Sequence, residues 1–403
     1  MLFMGLIKKL YVKLVVGDIK ETDREPNVEK WILYLGKLSK TDDCIQNTKN
    51  KYDCRQFHFR TWKRIILEMA SFPIMVYKIR LLFGNFKELP KVQSNTLLIE
   101  KKLDVDYHDI IPEQLVQEYT NTIEVIAYRE SKQQTEHLSR EAIDILKPLI
   151  KKYWYHPYLI IWCTRELAKH SAYIEKFNPR STVVYIEERN VATPLIKKLY
   201  EQTGRKFISF MHGEYLLRLI QGFMGFSEYY IWDKSYEDMF ANTLKCDIDK
   251  YVLYKPGKLE KKWNLEAIEP SIYCTYYFSA ESKESIKKIS SIFKQIEALG
   301  KKCKVRPHPR YSQWDYINEN FPDEMLENPK DVSIEESLGR TKYVVGLATT
   351  VLSEAYFEGR TVVIDDISSK EKFDNLERRN FICLRRPHFL LSDLLAETDK
   401  GKN

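Results

Sequence analysis

Two short segments near the C-terminal end carry residues whose types and spacing could do chemistry. The first, Lys304-Val305-Arg306-Pro307-His308-Pro309-Arg310, ends a β-branched run in a loop with one imidazole between two prolines and a guanidinium on each side. The second, Val344-Val345-Gly346-Leu347-Ala348-Thr349-Thr350, ends a similar run in paired hydroxyls, and Ser353-Glu354-Ala355 opens a helix behind it. Such runs read as parallel strands, and α/β proteins bind ligands at the C-terminal edge of such strands. His308, Arg306, Arg310, Thr349 and Thr350 are therefore expected at one sheet edge, with Gly346, Ser353 and Glu354 beside them. The amides and dipole of the helix after Thr350 add a preference for an anion. Together these groups suit a nucleotide phosphate and require no metal ion.

Two earlier loops follow strand-like runs as well. Val183-Val184-Tyr185-Ile186 leads into Glu187, Glu188 and Arg189, and Ser209-Phe210-Met211 leads into His212, Gly213 and Glu214. Gly213 lets the backbone approach a ligand closely, and an imidazole with an ordinary pKa of about 6.5 suits proton transfer or anion binding. A solvated strand-end acid pair and a histidine in a structural hydrogen bond are the bland readings of the same residues. Asp104-Val105-Asp106 is a D-x-D that could hold manganese, but three residues in a chain with 57 acidic side chains discriminate little. Walker A, G-x-G-x-x-G, G-x-S-x-G and H-E-x-x-H patterns do not occur, which removes the commonest NTPase, dehydrogenase, hydrolase and zinc-protease readings.

Positioning these loops takes parallel sheets. Strand-like runs at 122–128, 182–186, 207–210, 229–232, 251–254, 272–278, 303–306, 343–345, 361–364 and 381–384 alternate with helical stretches at 140–152, 193–203, 283–299 and 351–358. A chain of 403 residues exceeds one hydrophobic core at roughly 100–200 residues per domain, so two domains are expected. The Pro256-Gly257 turn signal opens a polar stretch. It places an N-terminal domain at 1–254, a linker at 255–270 and a C-terminal domain at 271–403, whose last helix is expected to pack back on the first domain. The first hundred residues are less legible: the Lys- and Asp-rich patch at 40–53 reads only as loop. The apolar run 65–83, interrupted by Glu68, Pro73, Lys78 and Arg80, reads as a buried helix pair broken at Pro73, with a helix lying on a membrane surface as the alternative. His156-Pro157 reads as a turn.

With 44% hydrophobic and 30% charged residues the chain is globular. A net charge of +7 is mild for a nucleic-acid binder and fits an enzyme of anionic donors, or one resting on an acidic membrane face. Seven scattered cysteines without C-x-x-C spacing indicate neither a disulfide framework nor a zinc site, and a reducing cytoplasm fits best. Residues 1–16 mix apolar side chains with Lys8, Lys9 and Lys13, which does not read as a signal peptide, and no run reaches the roughly 18 apolar residues of a membrane span. The expected location is cytoplasmic, with peripheral contact on the inner face of a membrane left open.

Arg306-Pro307-His308-Pro309 resembles the His-Pro motif of bacterial sialyltransferases and of related capsule-synthesis and polyol-phosphate transferases, and Ala348-Thr349-Thr350 with Glu354-Ala355 resembles their downstream Ser/Thr pair and acidic helix start. The resemblance covers about 182–366, under half of the chain. It implies a GT-B fold, two Rossmann-like domains with parallel sheets facing a central cleft, and an inverting, metal-independent glycosyltransferase with no cofactor. The donor it implies is a CMP-activated sialic acid or similar nonulosonic acid, with His308 and the threonines on the nucleotide phosphate and Glu354 facing the nucleotide sugar. The acceptor would be an oligosaccharide or lipid-linked glycan of a bacterial capsule or lipopolysaccharide, and nucleic acid would not be a partner. Glu187-Glu188 resembles the family's acidic-acidic-Gly motif, which supplies the catalytic base, although Arg189 stands where glycine is usual. His212-Gly213 resembles the His-Gly element of the capsule-synthesis enzymes. Glu188 is the first choice for the base and His212 the second, with Arg189 and Glu214 on the acceptor side. CMP-Kdo or a CDP-polyol is the alternative donor, and a non-catalytic glycan-assembly partner is the alternative class.

Overall fold

The computed structural model describes residues 28–56, 61–84, 86–93, 95–101, 111–119, 122–127, 138–184, 188–211, 213–254, 263, 265 and 268–400. The chain divides into two units, Met1–His212 with Leu217–Gly257, and Gly213–Leu216 with Lys258–Asn403. The division between Gly257 and Lys258 falls within the stretch 255–270. Both units are α/β, and every strand pair described in them is parallel.

The sheet of the first unit contains β1 (Leu97–Lys101), β2 (Ile123–Ala127), β3 (Ser181–Val184), β4 (Lys206–Phe210), β5 (Gly225–Ile231) and β6 (Asp247–Leu253), in the spatial order β2-β1-β3-β4-β5-β6. Ser181, Thr182, Val183 and Val184 are all buried, as expected of a central parallel strand covered on both faces. Three sequence expectations are corrected here. The patch at 40–53 is not loop, because Cys44–Gln56 is a helix whose Lys51 ammonium is fully buried. The run 65–83 is not a helix pair but one helix, Thr61–Phe83, that passes through Pro73. His156-Pro157 is a helix start: His156 is the N-cap and Pro157 the first residue of Pro157–Phe177, where a missing N–H costs nothing.

The sheet of the second unit contains β7 (Ile272–Tyr277), β8 (Cys303–Arg306), β9 (Thr341–Gly346), β10 (Thr361–Ile364) and β11 (Phe389–Leu390), ordered β8-β7-β9-β10-β11. Its core joins Tyr276, Phe278, Val305, Val345 and Val363 to Ile286, Ile289, Phe293 and Ile296, the inward stripe of the helix Lys283–Ala298. That helix begins where Ser282 accepts from the Ser285 amide at 3.2 Å, a side-chain cap. The run 381–384 is not a strand. It forms the 3-10 turn Ile382–Leu384, and the edge strand is Phe389–Leu390.

The strand order of the second sheet reverses between β7 and β9, so the crevice outside their carboxyl ends is the place where a doubly wound sheet binds its ligand. The loops at 278–281 and 346–350 rim that crevice, and the His308 loop leaves β8 on the other flank of β7.

Candidate functional site

His308 is held in one tautomer by its own loop. Its Nδ1 accepts from the backbone N–H of Arg310 at 3.0 Å and of Tyr311 at 3.3 Å, which leaves the ring proton on Nε2. Its backbone is fixed as well: the His308 N–H donates to Ser312 Oγ at 2.7 Å, and Trp314 Nε1 donates to the His308 carbonyl at 3.2 Å. Partial burial and the Arg310 charge lower the imidazole pKa, so the ring is neutral at neutral pH and offers Nε2–H as a donor. The loop is stitched to its neighbour by Ser312 Oγ, which donates to the Ser279 carbonyl at 3.1 Å, and by Gln313 Nε2, which donates to the Glu281 carbonyl at 3.0 Å. Burial raises the pKa of Glu281 to about 6, while its carboxylate accepts from the Ser279 amide.

On the other flank, Gly346 has no room for a side chain: a Cβ there would stand 2.9 Å from Thr349 Cγ2 and 3.3 Å from the Tyr277 carbonyl. The tight turn at 346–350 therefore depends on glycine at its start. The helix Val351–Phe357 behind it does not offer its amides to a ligand. Val351 N–H donates to Thr349 Oγ1 at 3.4 Å, Leu352 N–H to the Thr349 carbonyl, and the Ser353 and Glu354 amides to the Thr350 carbonyl. The turn and loop hydrogen bonds of the described residues leave the amides of Ala348, Thr349 and Thr350 unused. The amides without a hydrogen bond in this turn are thus those of the loop before the helix, whereas the first amides of the helix itself are taken up by Thr349 and Thr350.

Two predicted donor-site residues and one predicted acceptor-side residue are held in buried clusters by their contacts. Arg306 is buried, with Nη1 donating to Glu327 Oε1 at 2.6 Å and Nη2 to the Val332 carbonyl at 2.9 Å. Glu327 also accepts from Arg340 at 2.5 Å, and although burial works to raise its pKa, hydrogen bonds from Ser337, Arg340 and Arg306 hold its carboxyl below the usual range. Arg306 therefore belongs to a buried ion triad, and only Arg310, which is exposed, remains to add charge beside His308. Ser353 is buried and its hydroxyl accepts from Arg386 Nη1 at 2.9 Å. Glu214 joins this cluster instead of an acceptor site: its carboxylate lies 3.6 Å from Arg386 Nη1 and 3.7 Å from Cys383 Sγ. Burial raises its pKa to about 7, outweighing the nearby guanidinium, and Glu354 pushes the same way. Glu354 itself is half-buried in the first turn of the helix Val351–Phe357.

Breaking the buried triad separates a structural role from a binding one. Glu327→Ala leaves the Arg306 guanidinium unpaired and should destabilise the protein by about 3–5 kcal/mol. Arg306→Ala should lower the melting temperature while leaving nucleotide affinity nearly unchanged. A large loss of affinity in a folded Arg306→Ala protein would restore Arg306 to the phosphate site.

In the first unit Glu188 and Asn190, which follow β3, are packed, not open. Glu188 is 2% exposed, and Tyr229 Oη donates to its Oε1 at 3.3 Å. Lys51 Nζ donates to the Glu188 carbonyl at 2.7 Å and to the Gly222 carbonyl at 3.1 Å, tying this loop to the turn at 219–221. Desolvation lowers the Lys51 pKa to about 8. Asn190 clamps the same loop, accepting from Trp162 Nε1 and from the Ala192 amide while donating to Glu166. Arg189 is exposed, and its carbonyl accepts from Arg55 at 2.8 Å. A base must reach the proton that it abstracts, and a buried carboxylate that accepts from Tyr229 Oη does not present itself for that. This placement argues against Glu188 as the base. Glu187, His212, Asp104 and Asp106 lie outside the described residues.

Sequence reasoning missed Lys51, Glu281, Glu327 and Arg386. Among the described residues no group of three or more His, Cys, Asp or Glu could hold a metal ion. An open cleft of about 550 Å³, lined by Lys283, Gln313, Trp314, Tyr316 and Glu319, includes none of the predicted residues.

No family model and no curated protein matches the sequence. Among solved structures, a glycosyltransferase from Rickettsia africae is 12% identical, with 76% of this chain and 88% of that chain covered, at a TM-score of 0.40. The UDP-GlcNAc 2-epimerase from Methanocaldococcus jannaschii is 12% identical over 76% and 92%, at 0.38. The glycosyltransferase SnogD from Streptomyces nogalater is 8% identical over 76% and 100%, at 0.36. With scores below 0.5, the fold rests on the chain's own strand order and parallel registers.

Proposed function

We propose that the chain is a GT-B glycosyltransferase that binds a nucleotide-activated sugar at the β7–β9 crevice and transfers the sugar, with inversion, to a glycan acceptor. In this reading the donor is a CMP-activated sialic acid or similar nonulosonic acid, and the product belongs to a bacterial capsule or lipopolysaccharide. The observation that carries the reading is the His308 imidazole, fixed as a neutral Nε2–H donor beside a crevice whose opposite rim holds the amides of Ala348, Thr349 and Thr350. Neighbouring strands are about 4.8 Å apart, so loops from β8 and β9 start roughly 10 Å from each other. That span suits a nucleotide better than a lone phosphate, with imidazole and loop amides meeting different parts of it.

Chemically, the donor phosphate gains negative charge as the glycosidic bond to it breaks. Fixed N–H dipoles and the Arg310 charge stabilise that charge without reorganising. A base on the acceptor side takes the hydroxyl proton as the oxygen attacks the anomeric carbon, and we assign that role to His212. No step is assigned to a metal ion, so turnover should persist in EDTA. Loss of activity on chelation, restored by manganese, would return Asp104 and Asp106 to the site.

A thermal-shift screen of CMP, CDP, UDP and GDP tests the reading before an acceptor is known. A cytidine nucleotide at 100 times its Kd should add about 2.7 kcal/mol to stability, a rise in melting temperature that the other bases do not give. Absence of a shift with all four would sink the nucleotide site.

A further inference from the structure

The helix Thr61–Phe83 is turned inside out relative to a helix stabilised by water on its outer face. Its inward positions, Arg64, Glu68, Ser71 and Met75, recur at helical spacing, and three of the four are polar. Glu68 accepts from Tyr52 Oη at 2.5 Å and from the Tyr158 amide at 2.9 Å, and lies 3.1 Å from His156 Nδ1. Arg64 donates to Asp53 at 2.7 Å. The outward positions carry the apolar side chains. Trp62, Ile66, Met69, Phe72, Ile74, Val76, Tyr77 and Leu81 are all exposed, Met69 by 61% and Tyr77 by 66%. A surface helix of a water-soluble domain shows the reverse pattern, and contiguous exposed apolar area of this kind marks an interaction surface.

The charges on the same helix identify what the surface fits. Glu68 is its only acidic residue and is buried. Lys63 and Arg80 are exposed near its two ends, so the outer face is apolar with a cationic margin and no exposed carboxylate. Trp62 and Tyr77 have the amphipathic rings that settle at a lipid headgroup boundary. The helix is not long and apolar enough to cross a membrane, since no such helix exists among the described residues. Ile32 and Leu33 of the helix Val28–Lys37 are exposed as well, at 47% and 69%.

We propose that the outer face of the Thr61–Phe83 helix docks the protein on an anionic lipid surface, lying in the interface plane with Trp62, Ile66, Met69 and Tyr77 immersed and Lys63 and Arg80 on the headgroups. The inference does not depend on the glycosyl-transfer reading, because the helix shares no residue with the nucleotide crevice. It draws the acceptor class toward lipid-linked glycans, since an enzyme held at the bilayer meets acceptors displayed there.

The test is flotation of the full chain with phosphatidylcholine vesicles, with and without about 30 mol % phosphatidylglycerol. The chain should float with the anionic vesicles only, and less so as salt is raised. A variant combining Trp62→Gln, Ile66→Gln and Met69→Gln should lose binding by about tenfold or more, and Lys63→Glu with Arg80→Glu should weaken it comparably. All five side chains are exposed, so both variants should keep the parent melting temperature, which is the check on folding. Several results would overturn the proposal: no flotation of the parent chain, unchanged flotation of the apolar variant, or equal binding to vesicles without phosphatidylglycerol. So would a dimer that the apolar variant dissociates without any lipid binding, which would make the face a contact between two copies.

Discussion

His308→Ala should raise the Kd for the cytidine nucleotide by about 10- to 100-fold, the size expected for one hydrogen bond from a fixed donor to a charged oxygen, about 1.5–3 kcal/mol. The expectation rests on the two amides that occupy Nδ1, because they leave the ring a single way to engage a ligand. His308→Asn, which keeps a donor on a short side chain, should recover part of the loss. Isothermal titration with CMP measures both, and parent-like affinity in the alanine variant would remove His308 from the site. Thr349→Val should cost less, since its hydroxyl already accepts from the Val351 amide and in the proposed reading the anion meets the loop backbone.

The second large effect concerns the base. His212→Ala should lower kcat by about 10²–10⁴ with nucleotide affinity preserved, the usual contribution of general-base catalysis. Glu188→Gln should be mild by comparison, because glutamine keeps an acceptor for Tyr229 Oη and the backbone carbonyl of the same residue keeps Lys51. Single-turnover assays on both variants decide the matter. A silent His212→Ala beside a crippled Glu188→Gln would mean that the loop after β3 opens during the reaction and that the carboxylate is the base after all.

How much of this was legible in the sequence depends on the range of the interactions involved. Cys303–Arg306 and Thr361–Ile364 read as strands because β-branched runs bounded by polar loops are a local signal, and both form at those residues. The run at 381–384 is equally apolar but turns after Asn380, at a φ of 56°, and short apolar runs do not distinguish a strand from a packed turn. Pro73 read as a break because proline removes one helix hydrogen bond, yet the packing of Glu68 and Arg64 on one side carries the helix through it. Leu97–Lys101 was hidden in a short Leu-Leu-Ile run with no alternation, the mark of a strand buried on both faces.

The candidate site residues follow the same rule. His308, Gly346 and Thr349 were visible because their loop geometry is local. Arg306 carried the same motif but is consumed by Glu327, a partner that no spacing rule connects to it. Lys51 was invisible for the same reason: the carbonyls that it binds, at Glu188 and Gly222, are reached only through the fold.

The four residues Gly213–Leu216 sort with the second unit although they are made with the first. During synthesis everything from Glu214 to Gly257 is made before Arg386, so Glu214 waits for its guanidinium. A fragment beginning at Lys258 would carry Arg386 against Tyr356 and Phe357 but lack the Glu214 carboxylate. Residues 213–216 therefore complete a cluster of the second unit that a cut at 257/258 would leave on the other fragment.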